Sequence, residues 1–478
     1  MPGILPQDPR PWTDRRDQGL HDTVMRDTLG RVTRRVSEAR IQAYAHYPEG
    51  EAMRSRAKEA KRAAIRDLDR HLIEAAAQIE AHGGVVRRME SPHDVSRYII
   101  ELARRHQARR IIKSKSMMTE ELELNHSLEA AGLAVRETDL GEYIIQLAHE
   151  KPSHILAPAA HKNRHQIHTL FNEEAQRSGV EGVDHADIPE LTAFARRRLR
   201  EEFLIADIGI TGGNFLVAET GTLVLITNEG NADMVTALPP LLISVVGIEK
   251  LVATWEDLTD IIQQPALSGV GQLLSSYTTF VSGPRGSKTL DGPKEWHVLL
   301  VNNGRSGLRG TEFEDVLSCI RCGACLNVCP VFRQVGGHAY GSVYVGPIGA
   351  VEPPLLAGLS QFPEMPSSLC TLCNACQEAC PMDIALPQHF LALRREKVRR
   401  RLESPTLRLT YRQWGRLWAT PAGYRLSVRL GRIVQKLSLQ NGRLVRAPGP
   451  ARGWFNTRDM PPIAQETFHE WWKRRKQP

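Results

Sequence analysis

Apolar residues along this chain change their spacing as the sequence proceeds, and each change marks a different kind of element. Up to about residue 90 the pattern is polar with apolar positions at helical intervals. It is clearest in "AAIRDLDRHLIEAAAQIEAHGG", which a glycine pair ends. From Arg109 the period shortens. "RRIIKSKS" predicts a strand and "MTEELELNHSLEAAG" a helix, with Thr119 as N-cap, acidic residues in the first turn and Gly132 as the stop. "LAVRETDL" predicts the next strand, "GEYIIQLAHE" a helix and "SHILAP" a third strand. Strands alternating with helices imply parallel pairing through helical crossovers. Between Asp207 and Thr254 the chain turns strand-rich. "NFLVAETGTLVLITNEG" reads as two apolar runs joined at "ETGT", and "ALPPLLISVVGIEKLVAT" follows, with Gly212, Gly213, Gly221 and Gly230 at the turns.

The α/β pattern closes near Leu300, after a loop over Ser282–Trp296. "GPRGSKT" in that loop lacks the glycine spacing and the strand-to-helix setting of a phosphate-binding loop. "GVGQLL" at Gly269 lacks the third glycine of a dinucleotide fingerprint. Four units follow: a helical region 1–69, an α/β domain 70–303, a cysteine-bearing domain 304–393 and a basic, tryptophan-rich C-terminal domain 394–478. The 478-residue length suits several units rather than one.

All eight cysteines fall in two runs, "CIRCGACLNVCP" from Cys319 and "CTLCNACQEACP" from Cys370. Each reads C-x2-C-x2-C-x3-C-P. Three thiolates at three-residue intervals reach three corners of a [4Fe–4S] cubane, and in this rhythm the fourth cysteine ligates the other cluster. The expected sets are therefore Cys319, Cys322, Cys325 and Cys380 for one cluster, and Cys370, Cys373, Cys376 and Cys329 for the second. Each cluster then ties both runs together, so the module folds only when metallated. Pro330 and Pro381 stop a helix from running through the turn beside each fourth ligand. Structural zinc is the alternative, but zinc sites use paired knuckles, often with histidine, and four ligands rather than two matching quartets. Arg321 and Arg333 lie near ligands, where they either favour the reduced cluster or only keep the surface solvated.

Composition adds little. The net charge of +8 and pI near 9.1 ask for an acidic partner, yet no nucleic-acid recognition motif accompanies the basic runs, so no nucleic-acid partner is expected. No apolar run reaches the length of a membrane span and "MPGILPQDPRPW" has no signal pattern, which points to the cytoplasm.

"KSKSMMTEELELNHSLEAAG", "ETDLGEYIIQL", "PSHILAPAAHKNR", "GGNFLVAETGTLVLITNEGNADM", the two cysteine runs and the terminal "GWFNTRDMPPIAQETFHEWW" together resemble the LutB/YkgF family over nearly the whole chain. That family supplies the iron–sulfur subunit of the L-lactate utilisation system. The resemblance implies an α/β LUD domain, similar to the NagB/RpiA/CoA-transferase fold, plus an α-helical two-cluster ferredoxin-type domain and a helical C-terminal tail. It implies a LutA-like cysteine-rich subunit and a LutC-like LUD subunit as partners in oxidising L-lactate to pyruvate. The expected role is electron transfer through two [4Fe–4S] clusters, with no catalytic residue assigned. The alternative is a redox enzyme whose LUD-like pocket binds an acyl or phosphorylated small molecule.

Polar residues at strand ends are the pocket candidates, since open α/β sheets bind ligands there. Lys113, Lys115, Asn214, Glu219, Thr220 and Asn231 form the expected anion site, with Asp139, Glu142, Asn228 and Asp233 close in sequence. The competing reading is that the asparagines and aspartates only make turns and the lysines sit in solvent. His161, His165 and His168 fall at helical intervals and offer a metal-binding face or a plain polar one. In the tail, arginine interleaves with Trp414 and Trp418, which fits helices docking on a partner subunit or a peripheral contact with the inner face of the membrane. Pro421 and Gly423 split the segment and favour docking.

Overall fold

The alternation of short apolar runs with amphipathic helices resolves into a parallel sheet. In a computed structural model, residues 5, 7–47, 49–437, 439–445, 455, 458 and 460–475 are described. They divide between two compact units, Met1–Lys397 and Val398–Pro478. The strands of the first unit are β1 (Val85–Met89), β2 (Arg110–Lys113), β3 (Ala134–Glu137), β4 (Ile208–Thr211), β5 (Phe215–Val217), β6 (Thr222–Thr227), β7 (Leu241–Gly247), β8 (Leu251–Val252), β9 (Tyr277–Val281) and β10 (Glu295–Val301). Six of them pair in the order β1-β10-β7-β4-β2-β3, parallel throughout. Such a sheet is covered on both faces, which is why β4 and β7 are buried along their whole length.

One face packs on helices Pro92–Arg105 and Leu124–Ala130 through Ile99, Leu102, Leu128 and Ile243. Ser91 and Asp94 cap the first of these helices reciprocally. The other face packs on helix Leu68–Ala81 and on a second sheet, β8-β5-β6-β9, around the buried Trp296. Helices Leu140–Ala148, Arg164–Ser178 and Ile188–Leu204 carry the chain from β3 back to β4, with Phe171 stacked on Phe194 between them. The chain leaves β2 outward to β3 and then returns to the opposite neighbour, β4. The crevice past the C-terminal ends of β2 and β4 is therefore the topological switch point, where sheets of this kind bind ligands.

Three further helices, Trp12–His21, Thr23–His46 and Gly50–Arg66, precede the sheet and bind it to the cysteine module. Ser37 donates to the Asn327 carbonyl at 3.0 Å, and Arg54 to the Cys380 carbonyl at 2.6 Å. The Tyr44 hydroxyl meets Ser268 at 2.9 Å. Buried Lys61 donates to the Glu249 carbonyl and, at 2.8 Å, to that of Leu251.

The helical 63–84 stretch is two helices parted at Asp67, and two expectations need correcting. The helix expected from Met118 is also two, Met117–Glu121 and Leu124–Ala130, because Glu123 takes the left-handed conformation at φ 46°; Ser116, not Thr119, caps it. "SHILAP" is not a strand. Its amides are taken locally: those of Leu156 and Ala157 donate to His154 Nδ1, and that of Ser153 to the Pro158 carbonyl.

In the second unit, helices Pro405–Trp418 and Pro421–Val434 bury none of their side chains. Ser404 and Thr420 cap them, and Trp418 meets Tyr424 edge-on at 5.3 Å. The last helix is Phe468–Arg475; Trp454 and Lys476 lie outside the described residues.

Candidate functional site

Both cysteine runs make the same turn. Residues before and after the second cysteine are left-handed in each, Arg321 and Gly323 in the first, Leu372 and Asn374 in the second. That geometry turns three thiols to one side of the loop. Short helices Ala324–Val328 and Ala375–Ala379 follow and pack against each other, and Cys329 and Cys380 then extend the chain into proline. The pairing brings Cys319, Cys322, Cys325 and Cys380 around one hollow, closed by Ile155, Ile320, Ile348 and Ile384. Cys329, Cys370, Cys373 and Cys376 surround the other, beside Pro330 and Phe390.

None of the eight is in a disulfide. Burial pushes the Cys322 thiol up to about 12, helped by repulsion from Cys380 and Cys319. Burial also pushes Cys376 up to about 12, with Cys329, Cys370 and Cys373 adding to it. Amides point at the sulfurs, that of Leu372 at Cys370 Sγ (3.3 Å) and that of Phe332 at Cys329 Sγ (3.5 Å). Four converging thiols, two of them buried in each set, that repel one another as thiolates fit a cationic cofactor that several of them share. The first set is enclosed, whereas Cys373 and its neighbour Leu372 are exposed.

A cavity of about 350 Å³ opens at the switch point. Its floor is Ser114–Met118 after β2 and Gly212–Asn214 after β4. A Cβ on Gly212 would stand 2.5 Å from Ser116 Oγ, so only glycine lets these two strand ends approach. Asp139, Asn228, Glu229, Asn231, Glu249 and Lys250 line the sides. Ile155, Ile320 and Arg321 line both this cavity and the first thiol hollow, so one layer of side chains separates them.

Behind the wall lies a buried charge network. Arg305 donates to Glu121 through Nη1 (2.8 Å) and Nη2 (2.5 Å), and its Nε lies 2.8 Å from Glu249. Asn303 donates to Glu121 at 2.6 Å, and the Tyr344 hydroxyl donates to it as well. Burial would raise Glu249, but Arg305, Lys250 and Arg321 outweigh it and hold the carboxyl at about 2. Arg321 grips Glu352 with both terminal nitrogens and lies 4.4 Å over the Tyr344 ring. Across the cavity, burial and the nearby Asp139 push Glu229 up to about 7.

Residues 72–301 match the LUD domain family, 315–384 the 4Fe-4S dicluster domain, and 396–477 the C-terminal domain of lactate utilisation protein B. Lactate utilization protein B of Oceanobacillus iheyensis is 41% identical over 97% of this chain and 96% of its own length. Its counterpart in Bacillus pumilus is 41% identical over 97% of both chains. The chain belongs to the lactate utilization protein B (LutB) family. A crystal structure of a DUF162-family protein from Deinococcus radiodurans is 16% identical, covers 49% of this chain and 98% of that one, and superposes at a TM-score of 0.27.

As a LutB-family protein this is an iron–sulfur protein of lactate utilization, with an α/β LUD domain, a double [4Fe–4S] module and a helical C-terminal part. The structure brings together only part of the expected anion site. Lys115, Asn214 and Asn231 line the cavity; Lys113, Glu219 and Thr220 do not. Lys113 is buried and committed to Glu137 at 2.6 Å and Asn125 at 2.5 Å. Burial pulls its ammonium down, but Glu137 and Glu120 more than offset this and keep it charged. Glu219 and Thr220 sit at the β5–β6 turn, where they accept hydrogen bonds from the Trp255 amide and indole. Asp233 meets Thr279 on β9, and Glu142 is buried beside the ion pairs, raised well above the usual carboxylate range by burial and by Glu120 and Glu137.

Glu229, Glu249, Lys250 and Arg321 were missed as cavity residues. Glu249 and Lys250 continue β7, the one strand-end position in the apolar run that carries charge. The histidines do not share a helix face, because the helix starts at Arg164, after His161. His168 bonds the Val183 carbonyl and His165 is exposed. His161 instead meets Glu150 (2.7 Å) and stacks edge-on with His338. Ligand atoms of these three lie within 4.8 Å of one another, but Glu150 is already shared by His161 and Lys162. Among the described residues no helix is long and apolar enough to cross a membrane.

Proposed function

We propose that this chain is the electron-carrying subunit of a complex that oxidises L-lactate to pyruvate. In this reading Cys319, Cys322, Cys325 and Cys380 hold one [4Fe–4S] cluster, and Cys370, Cys373, Cys376 and Cys329 hold the other. The observation that carries it is the order of the parts: the cavity, the first thiol set beside it, and the second thiol set with Cys373 exposed. When bound, the clusters supply two one-electron carriers, which matches a two-electron oxidation. The chain's own residues help both clusters accept electrons. Arg321 places its guanidinium beside Cys319, and Glu352 fixes it there. Arg333 is anchored by Thr33 and the Asn327 carbonyl and sits near Cys329. Both positive charges favour the more negative, reduced state of the cluster beside them. Exposed Cys373 and Leu372 leave the second set open to a redox partner.

The same reading makes the α/β domain a NagB/RpiA/CoA-transferase-like fold and places the protein in the cytoplasm. It takes a LutA-like cysteine-rich subunit and a LutC-like LUD subunit as partners. The exposed apolar side chains of the two tail helices, among them Leu409, Tyr411, Trp414, Trp418, Leu426, Leu430 and Ile433, suit docking on such a subunit. Reconstitution with the two partner subunits tests the whole. Adding L-lactate anaerobically should produce the electron paramagnetic resonance signal of reduced clusters. A complete complex with about eight irons in this chain and no signal overturns the reading.

A further inference from the structure

A buried hydroxyl with no acceptor is costly, and folded proteins seldom leave one. Among the described residues two buried side-chain hydroxyls are left this way, Tyr340 Oη and Ser318 Oγ, and both belong to the cysteine module. Ser318 directly precedes Cys319. Tyr340 ends a short helical turn, His338–Tyr340, in the insert between the two cysteine runs. It is 0% exposed, so solvent does not serve its hydroxyl either. We propose that Tyr340 donates a hydrogen bond to a sulfur of the second [4Fe–4S] cluster, the one assigned to Cys329, Cys370, Cys373 and Cys376, and thereby raises that cluster's potential.

The surroundings of the ring point to that cluster. Tyr340 packs against Phe332 with centroids 6.3 Å apart, and the Phe332 amide is aimed at Cys329 Sγ (3.5 Å). After burial, the groups acting most strongly on the phenol are the thiols of Cys329, Cys325, Cys370 and Cys376, in that order. Three of these four belong to the second set. Burial and the sulfurs both push the phenol well above its ordinary range, so it keeps the proton it has to donate. No oxygen or nitrogen of the described residues accepts that proton. Iron-bound sulfur is the acceptor chemistry this corner of the module offers.

The sign of the effect follows from charge. A cluster gains one negative charge on reduction, and its sulfurs then accept hydrogen bonds more strongly. A donor aimed at them stabilises the reduced form more than the oxidised one, which moves the potential upward. The Leu372 and Phe332 amides already serve this set from the main chain. Tyr340 adds a side-chain donor, and its burial strengthens the bond by keeping the local dielectric low. It touches no substrate and acts through the cluster, as a positioning residue.

The proposal rests on the cysteine assignment above and not on lactate. Its test is Tyr340→Phe, which keeps the ring and deletes one oxygen, in anaerobically purified holoprotein with iron counted. Redox titration followed by electron paramagnetic resonance reads each cluster, and the signal that Cys370→Ser removes identifies the second. At the potential where that cluster is half reduced in the parent, its reduced-to-oxidised ratio should fall about three- to tenfold in the variant, or about 30–60 mV for a one-electron couple. The first cluster should move less. Tyr340→3-fluorotyrosine, with a more acidic phenol of nearly the same shape, should shift the second cluster the opposite way. An unmoved second midpoint in iron-replete Tyr340→Phe, or a larger shift in the first cluster, overturns the proposal. If Tyr340→Phe loses iron, the fluorinated variant decides, and a second midpoint that does not rise overturns it. Cysteine variants whose signals pair otherwise overturn the ligand assignment and this proposal with it; matched pairs with an unmoved midpoint overturn this proposal alone.

Discussion

Replacing Arg305 with methionine is the most direct probe of what holds the cavity wall. The side chains of Arg305, Glu121 and Glu249 are 0%, 0% and 3% exposed, so no water replaces the lost guanidinium. Glu121 would keep Asn303 and Tyr344 as donors. Glu249 would keep only the more distant Arg321, at 3.8 Å, and the field of Lys250. Stripping one partner from a buried pair costs about 3–5 kcal/mol. The expected loss for Arg305→Met at pH 7 is thus about 3–4 kcal/mol, since two donors still serve Glu121. In the native protein Glu249 is held at about 2, below its unfolded value, so its contribution is present above about pH 4.5 and fades as the pH falls toward 2. Without Arg305 that carboxyl rises and protonates readily. The gap between the two proteins should be widest near pH 7 and narrow toward pH 4–5. Urea titrations of anaerobic holoprotein, followed by far-ultraviolet circular dichroism with iron measured alongside, read both quantities. Adding Glu249→Gln should restore at least half of the loss. A single variant within about 1 kcal/mol of the parent, or a gap that ignores pH, would refute the burial reasoning.

Three other outcomes are expected. Cys319→Ser and Cys380→Ser should each remove about four of about eight irons and leave one and the same resonance signal, with Cys370→Ser and Cys329→Ser leaving the other; mismatched pairs would mean the fourth cysteines do not cross over. Glu229→Gln should stabilise the protein at pH 8 by about 1–2 kcal/mol and have little effect at pH 4, because a carboxyl raised to about 7 costs stability as the pH climbs from about 4.5 through 7; equal melting temperatures at pH 8 would count against it. Trp414→Ala with Trp418→Ala should leave iron content intact and abolish co-purification with the partner subunits, whereas lost vesicle binding with retained partners would assign the helices to a membrane surface.

The parallel sheet was readable because β2 and β7 are apolar runs between turn signals, whereas β10 follows a loop and was not read as a strand. The thiol sets were readable because ligand spacing is a local property of the chain. The cavity was not, since its walls come from distant segments. Glu121 looked like one more acidic residue in a helix's first turn, and nothing local ties it to Arg305, 184 positions later. Lys113 and Lys115 look alike on paper, two residues apart on one strand end. The strand ends at Lys113, which is buried on Glu137, whereas Lys115 lies past its end in the loop that floors the cavity. "SHILAP" has strand composition, but His154 captures the amides a ladder would need.

Ile320 and Arg321 belong to a loop whose shape depends on three sulfurs being pulled to a common centre. The same loop completes one side of the pocket in the α/β domain. A chain without its clusters would therefore present that cavity with one side slack.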